Sequence, residues 1–195
     1  MCVGVLTSVV VLYLLSEQCD TLKVSIDTHN PKGSMSLAIR TLQTDDLPAL
    51  FRINEEGLPG VGKVTEDGLA DLFSLAALPL GVFEGDTVVG FVLCLHPKTR
   101  YGSLNYGWFN ARYEHFLYVD RIAVAKDHRN RQIGSLLYAE IIKHAEAQGW
   151  PIAAEVNLQP PNPGSMRFHR RFGFKEVGTL QHKTYSVSMV MREPQ

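Results

Sequence analysis

The segment Arg129-Asn130-Arg131-Gln132-Ile133-Gly134-Ser135 has the composition of a phosphate cradle. Before it, Ile122 and Val124 alternate with Arg121 and Ala123 as a strand requires. After it, Ile133, Leu136, Leu137, Ile141 and Ala145 recur at helical spacing. The turn therefore opens a helix, where free backbone N–H groups and the positive end of the helix dipole gather. Arg129 and Arg131 add two full charges, and Gly134 lets a ligand approach the backbone closely. The competing reading is an ordinary strand-to-helix connection with solvated arginines.

The chain that must position this turn has 195 residues, 45% hydrophobic and 20% charged, which suits one soluble globular domain with a sizeable core. A net charge of −1 gives no general attraction for nucleic acid, so no nucleic-acid partner is expected and any basic site must be local. Cys2, Cys19 and Cys94 lack metal-ligand or redox spacing, and Cys94 reads as a buried thiol. His29, His96, His115, His128, His144 and His182 share no ligand spacing either, so no metal is expected. The apolar run at 3–15 is shorter than the roughly 18 to 20 residues that span a bilayer, follows no basic residue and precedes no small-residue cleavage pattern. A membrane role is not expected, and the location expected is cytoplasmic. Residues 1–34 read as an apolar segment and turn-rich linker, and 35–195 as the functional domain, starting at Met35.

From Leu37 the patterning is regular. A short strand at Leu37–Arg40 precedes a helix with Thr44-Asp45-Asp46 at its start and Pro48 in its first turn. A second helix is capped at Thr65, beyond a glycine-rich link from Gly57 to Gly62. Strands at Leu80–Phe83 and Thr87–Leu95 form a hairpin around Glu84-Gly85-Asp86. Lys98–Phe116 reads as irregular and is crowded with aromatic rings. Tyr101, Tyr106, Trp108 and Tyr113 are candidates for a substrate-binding wall, with core filling as the alternative. A strand at Phe116–Ala125, the helix after the basic turn, a strand at Ile152–Leu158, a short helix at Asn162–Phe172 and strands at Phe174–Leu180 and Thr184–Met191 complete the domain.

The run from Leu37 to Met191 resembles the GNAT superfamily of N-acetyltransferases, most closely a bacterial-type subgroup of predicted acetyltransferases. Its turn pattern, Arg or Gln, two residues, Gly, one residue, Gly or Ala, is met by Arg129 to Gly134 except at Gln132. Asn162, Ser165, Phe168, Gly173 and Phe174 match the family's short helix and its closing Gly-Phe pair, and the order of elements matches too. The resemblance implies an α+β fold: a mixed, mostly antiparallel central sheet of six to seven strands with two splayed central strands and helices on both faces. It implies acetyl-coenzyme A as co-substrate, bound by Ile122, Ala123 and Val124, by Arg129 to Ser135, and by Asn162, Ser165 and Phe168. The acceptor implied is a small-molecule or peptide amine, and a homodimer is compatible with it.

An alkyl amine has a pKa near 10.4 and attacks only when neutral, so at pH 7 its deprotonation costs roughly 4 to 5 kcal/mol. Period two puts Tyr118, Asp120, Ile122 and Val124 on one strand face, which the resemblance turns toward the thioester. Asp120 is therefore the first candidate base, with burial raising its pKa and Arg121 opposing the rise. Glu155 on the neighbouring strand is the second. The gap between splayed strands implies oxyanion contacts from backbone N–H groups near Ala123 and Val124, Val124 foremost. His169 occupies a position where the family commonly carries a tyrosine that protonates the departing thiolate. Tyr118 and Tyr185 are alternative hydroxyl donors. A non-catalytic acyl-coenzyme A sensor is the alternative to an enzyme.

Overall fold

The computed structural model describes residues 36–58 and 60–195. The expectations for the apolar run at 3–15 and for a start at Met35 lie outside the described residues. The chain forms β1 (Leu37–Thr41), a 3-10 turn at Thr44–Asp46, α1 (Leu47–Glu56), α2 (Glu66–Leu75), β2 (Leu78–Glu84), β3 (Thr87–Leu95) and α3 (Leu104–Asn110). It continues with β4 (Leu117–Val124), a 3-10 turn at Lys126–His128, α4 (Ile133–Gln148), β5 (Ile152–Gln159), α5 (Pro163–Arg171), β6 (Lys175–Gln181) and β7 (Ser186–Arg192). Local chemistry sets the ends. Thr65 Oγ1 accepts the Gly68 N–H at 3.1 Å and starts α2. Gly149, at φ 65°, ends α4 in the left-handed conformation that glycine adopts without steric cost.

The strands make one seven-stranded sheet in the order β1-β2-β3-β4-β5-β7-β6. Every neighbouring pair is antiparallel except β4 and β5. Helices α1, α2 and α3 cover one face through Leu50, Ile53, Leu69, Leu72 and Phe109. Helix α4 covers the other through Leu137, Tyr138 and Ile141, with Phe168 of α5 and Phe172 just after it alongside. The α+β class, the mostly antiparallel sheet and the helices on both faces are as expected.

Three features shape the centre of the sheet. First, β4 and β5 are paired only at Leu117↔Ile152 and Tyr118↔Ala153, and beyond these rungs they separate. Second, the β3–β4 register passes from Leu93↔Arg121 to Cys94↔Val119, which leaves Asp120 as the extra residue of a bulge. A one-residue insertion reverses the facing of everything after it. Tyr118 accordingly packs in the α1–α3 layer while Ile122 and Val124 pack in the α4 layer. The expectation that Tyr118, Asp120, Ile122 and Val124 share one face is therefore wrong.

Third, the Lys98–Phe116 segment is not irregular throughout, because α3 forms within it. Ser103 Oγ accepts the Tyr106 N–H at 3.4 Å to start this helix. Tyr106 and Phe109, three positions apart, turn inward and are fully buried. The element order thus gains a helix between the third and fourth strands.

Candidate active site

A cleft of about 750 Å³ opens where β4 and β5 part. Its walls are Val119–Val124 of β4, Ala154–Asn157 of β5, the α1–α2 connection at Gly57 and Gly60–Lys63, Asn105 of α3, and Asn162, Ser165 and His169 at α5. Separation of the strands leaves backbone groups of β4 without a ladder partner on that side. The Ala125 N–H bonds Val89 O at 2.9 Å toward β3. Twofold alternation then directs the Ala123 N–H toward β3 as well, and the Ile122 and Val124 N–H groups into the gap. Of the two amides expected to face an oxyanion, the Val124 amide has the required direction and the Ala123 amide does not.

Glu155 lies on the same β5 face as Ala153, the face covered by α1–α3. Its Oε2 accepts the Tyr118 hydroxyl at 2.7 Å, and its Oε1 accepts Asn105 Nδ2 at 3.0 Å. Burial, and next the nearby charge of Asp120, push the Glu155 carboxyl up to about 7. The hydrogen bonds from Tyr118 and Asn105 and the charge of Arg121 oppose this. A carboxylate held at that value is half ionised near neutrality and suits a general base.

Asp120 also lines the cleft, and its side chain is 5% exposed. Its Oδ2 lies 3.5 Å from Arg121 Nε, yet neither atom has a hydrogen-bond partner. Burial raises the Asp120 pKa against the lowering effect of Arg121. The Arg121 guanidinium is turned away, donating to Asn54 Oδ1 at 2.5 Å and Gly62 O at 2.7 Å. It ties the α1–α2 connection down to β4.

The basic turn adopts an unusual backbone. Asn130 and Gln132 have φ of 63° and 60°, the left-handed region, and Gln132 makes no side-chain bond to the helix it precedes. Left-handed residues in a turn direct N–H groups into a concave anion nest, and the first amides of α4 lie uncapped beside it. Gly90 makes room for this helix end, since a Cβ there would meet Ile133 Cγ2 at 2.6 Å. The two arginines expected to add full charges are held differently. Arg131 pairs with Glu84 Oε1 of β2 at 2.6 Å, and Arg129 donates to Glu56 O at 2.6 Å. Arg129 alone of the turn lines the cleft. This turn offers an anion its backbone N–H groups and the Arg129 side chain, while Arg131 is paired with Glu84.

At the other wall, Asn162 Oδ1 accepts the Ser165 N–H at 3.0 Å and caps α5, leaving its amide nitrogen toward the cleft. Phe168 lies against the start of α4, 3.6 Å from the position a Gly134 Cβ would take. His169 is 5% exposed and has both nitrogens committed. Nδ1–H donates to Ser165 O at 2.8 Å, which makes Nε2 an acceptor for the Tyr138 hydroxyl at 2.6 Å. Burial lowers its pKa. With Nδ1–H held by Ser165 O and Nε2 held by the Tyr138 hydroxyl, the imidazole directs no proton at the cleft in this arrangement.

The four aromatic residues expected as a substrate-binding wall or as core filling belong to the α1–α3 core layer. Tyr106 is 2% exposed, with its hydroxyl donating to His96 O at 2.7 Å, and Tyr101, Trp108 and Tyr113 pack against the same core layer. None of the four is among the residues lining this cleft. Asn105, which sequence reasoning missed, lines it instead. The signal available was Ser103 as a cap before Tyr106 and Phe109 at helical spacing. Tyr185 lines the cleft and is stacked on His182, with ring centroids 4.0 Å apart. Among the described residues no cluster of three or more His, Cys, Asp or Glu could hold a metal ion.

The sheet, parted at its centre, has an uncapped helix end on one side of the gap and a buried carboxylate on the other, an α+β arrangement that can hold an anion beside a base. The chain belongs to the acetyltransferase (GNAT) family, whose sequence model matches residues 42–174. No curated protein sequence matches it. Among solved structures it is similar to Ard1 from Thermoplasma volcanium, at 18% identity and TM-score 0.66, covering 82% of this chain and 98% of that one. It is similar to the ribosomal-protein-S18-alanine N-acetyltransferase from Escherichia coli, at 17% identity and TM-score 0.64, covering 80% and 93%. A third is Arabidopsis thaliana Naa50 in complex with a bisubstrate analogue, at 18% identity and TM-score 0.62, covering 80% and 98%. These likenesses show the fold.

Proposed function

We propose that this protein is an N-acetyltransferase that moves the acetyl group of acetyl-coenzyme A to a primary amine in a ternary complex, with Glu155 as the base. The observation that carries the reading is the Glu155 carboxyl, poised near 7 at the mouth of the parted strands and held by Tyr118 and Asn105. Glu155 thereby takes precedence over Asp120, which sits in the bulge beside Arg121. Glu155 takes the proton of the bound ammonium, the neutral amine nitrogen bonds to the thioester carbonyl carbon, the carbon–sulfur bond breaks to release the thiolate, and the second nitrogen proton passes to that thiolate. The Val124 N–H stabilises charge developing on the carbonyl oxygen.

The turn fits the coenzyme through backbone amides at the start of α4, with Asn162 beside the pantetheine arm. A thiol has a pKa near 8.5, so its thiolate leaves without an obligatory acid, and the commitment of His169 to Tyr138 is no obstacle. The reading extends to an amine-bearing small molecule or peptide as acceptor and to a cytoplasmic setting. Among the described residues no helix is long and apolar enough to cross a membrane.

The test is coenzyme A release from acetyl-coenzyme A across a panel of amines and amino-terminal peptides. Amine-dependent release that falls sharply in Glu155→Gln supports the proposal. Tight acetyl-coenzyme A binding with no amine-dependent release would instead make the protein a sensor.

A further inference from the structure

We propose that His182 is a positioning residue for Glu155, acting through the side-chain amide of Asn105. The inference rests on Glu155 being the base. His182 Nε2 lies 2.8 Å from Asn105 Oδ1, and Asn105 Nδ2 lies 3.0 Å from Glu155 Oε1. A carboxamide has one accepting end and one donating end of nearly equal size. With His182 donating to the oxygen, the NH₂ end must face the carboxylate. Without that donor the amide is free to turn over, and its oxygen then favours a protonated Glu155 that cannot accept a proton.

Both ends of this link are held. His182 N–H bonds Tyr185 O at 2.8 Å, its ring stacks on Tyr185 with planes 7° apart, and Gln181 Nε2 bonds the His182 carbonyl at 2.8 Å. Helix α3 is seated on β6 by Trp108, whose ring leaves no space for a Cβ at Gly178, the nearest atom being 2.6 Å away. The charged and titratable groups around Glu155 are Tyr118, Asp120 and Arg121 of β4, Tyr101 ahead of α3, and Tyr138 of α4. Facing His182 are the neutral groups Asn105 and Tyr185.

The experiment follows the carbon-13 signal of the Glu155 carboxyl through a pH titration of the free protein, assigned by its absence in Glu155→Gln. In His182→Ala the midpoint moves upward by about one pH unit, the worth of a hydrogen bond to a charged group. In His182→Gln, which keeps a donor, it returns toward the wild-type value. In an Asn105→Ala background, replacing His182 moves it no further. An unchanged midpoint in His182→Ala, or an equal shift in the Asn105→Ala background, overturns the proposal. Full amine-dependent coenzyme A release by Glu155→Gln would separately defeat the assignment of the base, while the titration would still decide whether His182 sets the Asn105 amide.

Discussion

The Tyr118 hydroxyl donates to Glu155 Oε2 at 2.7 Å, one step beyond the last backbone rung between their strands, Tyr118↔Ala153. A side-chain bond thus continues the ladder where the backbone abandons it. It crosses the gap at its narrow end and fixes the carboxylate without closing the cleft.

Removing the base has a kinetic signature. Glu155→Gln lowers kcat by about 10²- to 10⁴-fold, the range for a positioned general base. In the wild type kcat/KM rises as pH passes through about 7 and then levels, because the ionised carboxylate is the working form. Steady-state coenzyme A release between pH 5.5 and 9 measures both.

The same substitution has a thermodynamic signature of opposite sign. The Glu155 carboxyl stands at about 7 when folded against an ordinary 4.5, so the native state binds more protons than the unfolded state between those values. Its contribution to stability is therefore present below pH 4.5 and is lost as pH rises through 7, at most about 3 kcal/mol. Glu155→Gln escapes that loss. Its midpoint of thermal unfolding exceeds the wild type at pH 8, and the difference shrinks toward pH 4.5.

Gly134 separates ligand from fold. A Cβ there would meet Phe168 Cζ at 3.6 Å, an ordinary contact, so the protein has room for alanine. In a helix, alanine is favoured over glycine by about 0.5–1 kcal/mol. Gly134→Ala should raise the unfolding midpoint and leave acetyl-coenzyme A affinity within a few fold, whereas Gly134→Pro, which distorts the first turn whose amides face the phosphates, should weaken it at least roughly tenfold. Calorimetric binding beside thermal denaturation checks it. Affinity unchanged in Gly134→Pro would place the phosphates elsewhere.

Gln132, at φ 60° and ψ 13°, occupies a conformation that costs a side-chain-bearing residue about 1 kcal/mol. Gln132→Gly removes that cost and stabilises the protein by about 0.5–1 kcal/mol, with acetyl-coenzyme A affinity retained. Chemical denaturation reads the gain as a higher midpoint at unchanged slope.

Much of the fold was legible because its signals are local. Apolar periodicity, the Thr65 cap and the glycine in the Glu84-Gly85-Asp86 turn mark element ends without reference to anything distant. The parts of the site that were not legible depend on pairing. The bulge at Asp120 inserts one residue into β4 and leaves no local mark, so strict alternation mis-assigned Tyr118 relative to Ile122 and Val124. Arg131 reads as a free charge until β2 folds beside it and supplies Glu84. Asn105 and His182 are 77 residues apart, and neither means anything until α3 and the β6–β7 turn meet.

The position of β7 between β5 and β6 carries a consequence for synthesis of the chain. Until residues 186–192 leave the ribosome, the strand bearing Glu155 has only its short contact with β4 for support. A nascent chain halted before β6 holds Asp120, the basic turn and α4, but lacks both the hairpin that steadies Glu155 and the histidine that orients Asn105. The proposed acetyl transfer should therefore be absent from arrested chains of graded length until the β6–β7 hairpin has emerged.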